Sequence, residues 1–322
     1  MFYSLNVKRI TGIAKSERID VIHDSSASIG FMPWLSKVAP VVVTVHGSPS
    51  LGYLRHKYGS PGDALRCELF HLAHQLPSRF LGLFCKPEIK KQVFVSRSCF
   101  EDAAMHIPPR LEGEFFKKSC VIYSGLSVKR LRSLQCKGAC DLSIVFMGRL
   151  MEYKGVDRVI NALPLVIEEL RDIKLHVVGS GPQLSKLMNL AERRGVKDRV
   201  IFHGWLSRSE ALKILASSSI LVHPSVYESF GYSIVEAYAL GKPVIAHRAP
   251  YSMELVEGMG AGITVNTFDK HSLADAITTL LSDKSLYEGL SRRALQVAER
   301  YFDITKTAQN YIKVYEEAIS GQ

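Results

Sequence analysis

Apolar positions along this chain recur with two periods, and the stretches where each holds define the elements. Short apolar runs bounded by Gly, Pro or charged residues stand at DVIH (20–23), VVVTVH (41–46), VFVS (93–96) and CVIYSG (120–125). They return at LSIVFMG (142–148), KLHVVGSGP (174–182), VIFHGW (200–205), SILVHPS (219–225), PVIAHR (243–248) and GITVN (262–266). Each reads as a buried strand. Between them, VDRVINALPLVIEELR (156–171) repeats apolar side chains every three or four residues and predicts an amphipathic helix. PQLSKLMNLAERRG predicts a helix stopped by Gly195, and SRSEALKILASSS one opened by Ser207 as N-cap. The chain closes with helices over about 271–282 and 285–319, broken near Phe302–Asp303. Strands alternating with helices predict parallel sheets of βαβ units, which take ligands at the carboxyl ends of their strands.

Two stretches depart from this regularity. Residues 2–16 read as a helix, with Leu5, Ile10 and Ile13 on one side, leading directly into DVIH. The first half therefore lacks the glycine-rich first strand and turn of a complete doubly wound domain, which predicts either a shortened reading of a longer protein or a natural variant. Residues 128–140, VKRLRSLQCKGAC, are polar and basic without a clean period and read as an interdomain connection.

At 322 residues and 47% apolar content the chain has material for two cores. It contains no apolar run of the roughly 18 residues that predict a membrane span, and its start has no secretion-signal pattern. The net charge of +10 is unevenly placed. Residues 1–140 hold 20 Lys and Arg against 10 Asp and Glu, whereas 141–322 hold 21 of each. A basic first half predicts an anionic partner or a solvated surface. LPSRFLGLFCKPEIKK (76–91) mixes Leu and Phe with Arg and Lys and fits a lipid interface or an ordinary core helix. Nucleic acid is set aside because no aromatic interleaving or recognisable module accompanies the charge. All six cysteines fall in the first half, and their spacing fits no zinc pattern; reduced thiols are expected.

Candidate chemistry concentrates in the second half. HPSVYESFGYSIVEAYALGKPVIA (223–246) carries Glu228 before a predicted helix and Glu236 inside it, eight positions apart. GRLMEYKGVD (148–157) supplies Arg149 and Lys154 after a strand. Paired cations at the end of a strand suit an anionic group. Arg presents a planar fork and Lys a point charge. There is no Asp-x-Asp pair to hold a divalent metal. A carboxylate such as Glu236 suits a vicinal diol. Gly179-Ser180-Gly181 lacks the third glycine of a nicotinamide fingerprint, and no acidic residue ends the next strand. His46 ends an apolar strand and precedes Gly47; His23 is placed similarly.

In order and spacing, GRLMEYKGVD, VVGSGP, HGW and HPSVYESFGYSIVEAYALGKPVIA resemble a family-4 retaining glycosyltransferase of the GT-B fold ("glycosyl transferases group 1") over about residues 18–320. The resemblance implies an α/β fold, GT-B, of two Rossmann-like doubly wound domains facing a cleft, the N-terminal one incomplete. It implies an acceptor-side domain over 1–135 and a nucleotide-sugar domain over 136–322, whose last helix is able to pack back on the first. Members transfer a sugar from a nucleotide-diphospho-sugar to an acceptor hydroxyl with retention. The resemblance gives catalytic roles to Arg149, Lys154, Glu228 and His46. It assigns donor binding to Gly148, Arg149, Lys154, Gly179, Gly181, Glu228, Phe230, Gly231, Tyr232 and Glu236, with no metal and no cofactor. Where the family more often carries Asn-Gly before the linker, this chain has Ser124-Gly125. A UDP- or GDP-linked donor, a glycan or lipid-linked acceptor, an anionic membrane surface and a cytoplasmic location, peripheral on the inner membrane face, are the expectations that follow. The competing readings are a non-catalytic sugar-nucleotide-binding subunit and a UDP-N-acetylglucosamine epimerase of the same fold.

Overall fold

A computed structural model of the chain describes residues 12–13, 16–25, 36–47, 88–134 and 142–321. Most of the helix expected over 2–16, the stretch from 76 to 87, and Cys67, Cys85, Cys136 and Cys140 lie outside the described residues. The chain divides into two compact units. One gathers the chain up to Ser124, apart from 57–60, together with Thr305–Gln322; the other is mainly Gly125–Ile304.

In the first unit, β1 (Ile22–Asp24), β2 (Val41–Val45), β3 (Ile89–Phe94) and β4 (Ser119–Val121) form a parallel sheet in that order. Side chains alternate across a strand, so the valines of β2 serve two faces. Val41, Val43 and Val45 join Phe94 and the buried Cys99, Ala103 and Phe115 of α1 (Arg97–Ala104) and α2 (Pro109–Lys118). Val42 faces the other way, with Val93 and Ile122, onto Val314 and Ala318 of the last helix, Ile304–Ser320. Burying one such valine stabilises by about 1.5–3 kcal/mol relative to exposure. CVIYSG forms a strand only as far as Val121.

The second unit begins earlier than residue 136. Leu126 donates its N–H to the Phe302 carbonyl (2.8 Å) and accepts from Ile304 N–H (2.9 Å). Val128–Arg132, expected as part of a connection, is helix α3, with Val128 and Leu131 buried. The strands are β5 (Ser143–Met147), β6 (Lys174–Val178), β7 (Val200–Gly204), β8 (Ile220–His223), β9 (Val244–His247) and β10 (Gly262–Val265). All pair in parallel, in the order β10-β9-β8-β5-β6-β7. Its helices include α4 (Val156–Glu169), α5 (Leu184–Arg193), α6 (Arg208–Ser217), α7 (Tyr232–Ala239), α8 (Lys270–Ser282) and α9 (Lys284–Tyr301); the last helix, α10 (Ile304–Ser320), belongs to the first unit from Thr305 onward. Ile144, Phe146, Leu175, Val177, Ile220 and Val222 pack against Val159, Ile160 and Leu163 of α4 and Leu273 and Ile277 of α8. On the opposite side α6 meets β5, and α7 meets β8 and β9. A sheet covered on both faces explains why these strands read as nearly continuous apolar runs. Ser207 caps α6 as expected, closing a capping box with Glu210.

This is the doubly wound strand order in which the winding reverses between β5 and β8, and ligands bind at the carboxyl ends of strands at such a reversal. The loops after β5 and β8 carry GRLMEYKG and PSVYESFG.

Candidate active site

The loop after β5 runs from Gly148 to Gly155, and the loop after β8 from Pro224 to Gly231. They are joined by backbone and by charge. Val226 N–H donates to the Tyr153 carbonyl at 3.0 Å. Lys154 Nζ forms an ion pair with Glu228 Oε1, at 12% and 16% side-chain exposure. Arg149 is exposed and donates from Nη2 to the Tyr153 hydroxyl at 3.2 Å. The Tyr153 ring is buried beneath these two cations, with Lys154 Nζ 5.3 Å from its centroid.

Glu228 is the most strongly perturbed carboxylate of the site. Burial alone would raise its pKa, but a hydrogen bond from His223 and the charge of Lys154 outweigh burial and bring it down to about 2. His223 ends β8 at 3% exposure and uses both ring nitrogens. Nε2 lies 3.0 Å from Glu228 Oε1, and Nδ1 lies 3.1 Å from Ser233 Oγ.

Gly231 caps α7 at φ +86°, a left-handed conformation that favours glycine. The first-turn amides of a helix lack intrahelical acceptors and face anions favourably. Phe230 turns inward at 3% exposure, its ring 5.1 Å from Tyr232 and 5.9 Å from Phe302. Tyr232 is exposed. Inside α7, every residue from Ile234 to Ala239 is buried. Among them Glu236 reaches Arg208 at the start of α6, with Nη2 2.8 Å from Oε1. Burial raises the pKa of Glu236, and the Arg208 charge opposes that shift.

The glycines of the loop after β6 have a packing role. Gly179 sits at φ +139°, and a Cβ there would lie 1.9 Å from the Gly148 carbonyl oxygen. At Gly181 it would lie 2.5 Å from the Leu150 carbonyl oxygen. The loops after β5, β6 and β7 are laced backbone to backbone: Gly148 N to Val178 O (3.0 Å), Leu150 N to Ser180 O (2.9 Å) and Gly179 N to Gly204 O (2.8 Å). Gly179 and Gly181 thereby set the height of the loop that carries Arg149.

The second unit thus brings Lys154 and Glu228 into contact, places Arg149 beside them through Tyr153, and sets Glu236 in the helix that follows. His46 belongs to the first unit, exposed just beyond β2. Reading the sequence missed His223, Ser233, Tyr153 and Arg208. Only His223 left a signal, as a polar residue closing an otherwise apolar central strand. Among the described residues no three His, Cys, Asp or Glu side chains gather as metal ligands, and no helix is long and apolar enough to cross a membrane.

The sequence model of a family described as glycosyl transferases group 1 matches residues 140–297. An uncharacterized glycosyltransferase of Methanocaldococcus jannaschii is 31% identical over 176 residues, 55% of this chain and 45% of that protein. Alpha-monoglucosyldiacylglycerol synthase of Streptococcus pneumoniae is 27% identical over 274 residues, 84% of this chain and 60% of that protein. The chain spans about half the length of curated relatives it matches. HepE of Anabaena, solved in complex with UDP and also with UDP-glucose, superposes at TM-scores of 0.76 and 0.73. Each match is 20% identical and covers 97% of this chain and 82% of that one. The likeness shows the fold, and with the two parallel-sheet units it agrees with the GT-B class.

Proposed function

We propose, from the match of residues 140–297 to the glycosyl transferases group 1 family, that the chain is a member of it and moves a sugar from a nucleotide-diphospho-sugar to an acceptor hydroxyl with retention of anomeric configuration. The observation that carries the reading is the meeting of Arg149, Lys154 and Glu228 at the sheet's reversal point. In the proposed reaction the acceptor oxygen bonds to the anomeric carbon on the face the leaving group vacates. The bond from that carbon to the diphosphate oxygen breaks, and the acceptor proton passes to the departing diphosphate. Arg149 and Lys154 neutralise the charge that develops there, where preorganised cations contribute most. Glu228 accepts hydrogen bonds from sugar hydroxyls, and Glu236 from the ribose diol once Arg208 yields it.

A UDP-linked donor is supported by the UDP and UDP-glucose complexes of the Anabaena neighbour. The name of the pneumococcal relative and the basic first half support a lipid-linked acceptor at an anionic membrane surface. A thermal-shift screen with UDP-, GDP- and ADP-sugars tests the donor reading, because a ligand bound only by the folded state raises the melting temperature. A shift with none of the three would sink it. Product anomeric configuration tests retention, and sedimentation with neutral and anionic liposomes tests the surface.

A further inference from the structure

We propose that His223 is the positioning residue that holds Glu228 in place while Lys154 exchanges this carboxylate for the phosphates of a bound donor. The inference rests on the glycosyl-transfer reading above. Glu228 Oε1 receives two donors of different character: the Lys154 ammonium and His223 Nε2. Lys154 stands on a short 3-10 turn, Glu152–Lys154, at the end of a flexible four-carbon stem. His223 is fixed on every side. Its ring is buried at the end of β8, and its Nδ1 is held by Ser233 in the first turn of α7 at 3.1 Å. The Tyr251 ring meets it edge-on at 5.7 Å, and the Tyr251 hydroxyl is anchored by donation to the Ser225 carbonyl at 2.6 Å.

The hydrogen placement follows from these partners. An ionised carboxylate only accepts, so Nε2 carries the hydrogen donated to Glu228. In the neutral ring Nδ1 then accepts, and the Ser233 hydroxyl donates to it. A diphosphate brings more negative charge than one carboxylate and competes for the mobile cation. When Lys154 turns to it, Glu228 stays tethered through Nε2–H and presents its acceptor oxygens to the sugar. The ion pair is the exchangeable contact, and the imidazole bond is the permanent one.

The test compares His223→Phe, which keeps a ring but no donor, with His223→Gln, whose amide N–H reaches toward the place of Nε2–H. With Phe, kcat for transfer is expected to fall about 100-fold, as expected for a misplaced site group. The Kd for UDP alone, which needs Lys154 but not Glu228, stays within about twofold. Gln recovers most of the loss in kcat. Equal losses in kcat and UDP affinity, an unchanged kcat with Phe, or Gln no better than Phe overturns the proposal. Nitrogen NMR of the wild-type His223 ring supplies a readout that needs neither turnover nor a folded variant. The Nε2–H tautomer with unprotonated Nδ1, kept when UDP is added, supports the proposal, and an Nδ1–H tautomer overturns it. A wild type that binds no nucleotide or nucleotide-sugar sinks the glycosyl-transfer reading instead, and the tautomer in the ligand-free protein still decides the position of His223.

Discussion

Lys154 and Glu228 lie 74 residues apart in the chain, yet their side chains form a nearly buried ion pair across the two loops at the sheet's reversal point. Breaking such a pair from one side leaves the other charge uncompensated, at about 3–5 kcal/mol. Glu228→Gln is therefore expected to destabilise the second unit by about that much at neutral pH. The sign of the pH dependence follows from the depressed carboxyl. Its stabilisation is present above the ordinary value of 4.5 and is lost as pH falls through the window down to about 2. Urea titrations should show the gap between wild type and Glu228→Gln at neutral pH closing across that acid window. A gap independent of pH would show that the pairing is not its source.

Gly179→Ala tests the loop lacing. The new methyl would meet the Gly148 carbonyl oxygen at 1.9 Å on a backbone at φ +139°. We expect a loss of about 4 kcal/mol or more, in the range that marks a backbone clash. Gly195→Ala is the control. Gly195 also has positive φ, +68°, but a Cβ there meets nothing within 4 Å, so its cost is the left-handed strain alone, about 1–2 kcal/mol. Equal urea midpoints for the two variants would remove the packing role given to Gly179.

Most second-unit strands were legible to within a residue or two, because covered parallel strands read as apolar runs and Gly or Pro marks their ends. GITVN, PVIAHR and SILVHPS became β10, β9 and β8. The first unit was less legible. CVIYSG opens on four apolar residues, but beyond Val121 the backbone leaves the ladder, and Leu126 pairs with Asp303 in an isolated bridge that no local pattern announces. Val128 and Leu131 are too few to set a period, so α3 read as a connection. At the site, charge and spacing drew attention to Arg149, Lys154, Glu228 and Glu236. The partners that tune them, His223 and Arg208, are set by strand order and helix packing, which spacing does not encode.

Arg208 and Glu236 give a prediction of opposite sign. Burial raises the pKa of Glu236 in the folded state, and Arg208 opposes that shift. A folded-state pKa above the unfolded one means that stability falls as pH rises through it. Removing Arg208 takes away the opposing charge. Arg208→Ala should therefore raise the Glu236 pKa further and steepen that fall from acid to neutral pH. Because Arg208 is itself largely exposed, at 63%, the direct loss of the pair is expected to stay within about 1 kcal/mol. Carboxyl NMR titration of Glu236 checks the direction. An unchanged or lower pKa in the variant would mean that Arg208 does not govern it.

Arg149 separates function from stability more cleanly than any other residue of the site. Its side chain is exposed, and among the described residues it is held by a 3.2 Å hydrogen bond to the Tyr153 hydroxyl. Truncating an exposed side chain away from the core usually changes stability by no more than about 0.5 kcal/mol. Arg149→Ala should thus unfold at the wild-type urea midpoint. On the proposed reading it should also lose the melting-temperature rise that a nucleotide-diphospho-sugar produces, because its guanidinium supplies a planar pair of donors for phosphate oxygens. Arg149→Lys keeps the charge but not the fork and should recover only part of the shift. Full recovery with Lys would reduce the role of Arg149 to net charge. An undiminished shift in Arg149→Ala would move the phosphate site away from the end of β5.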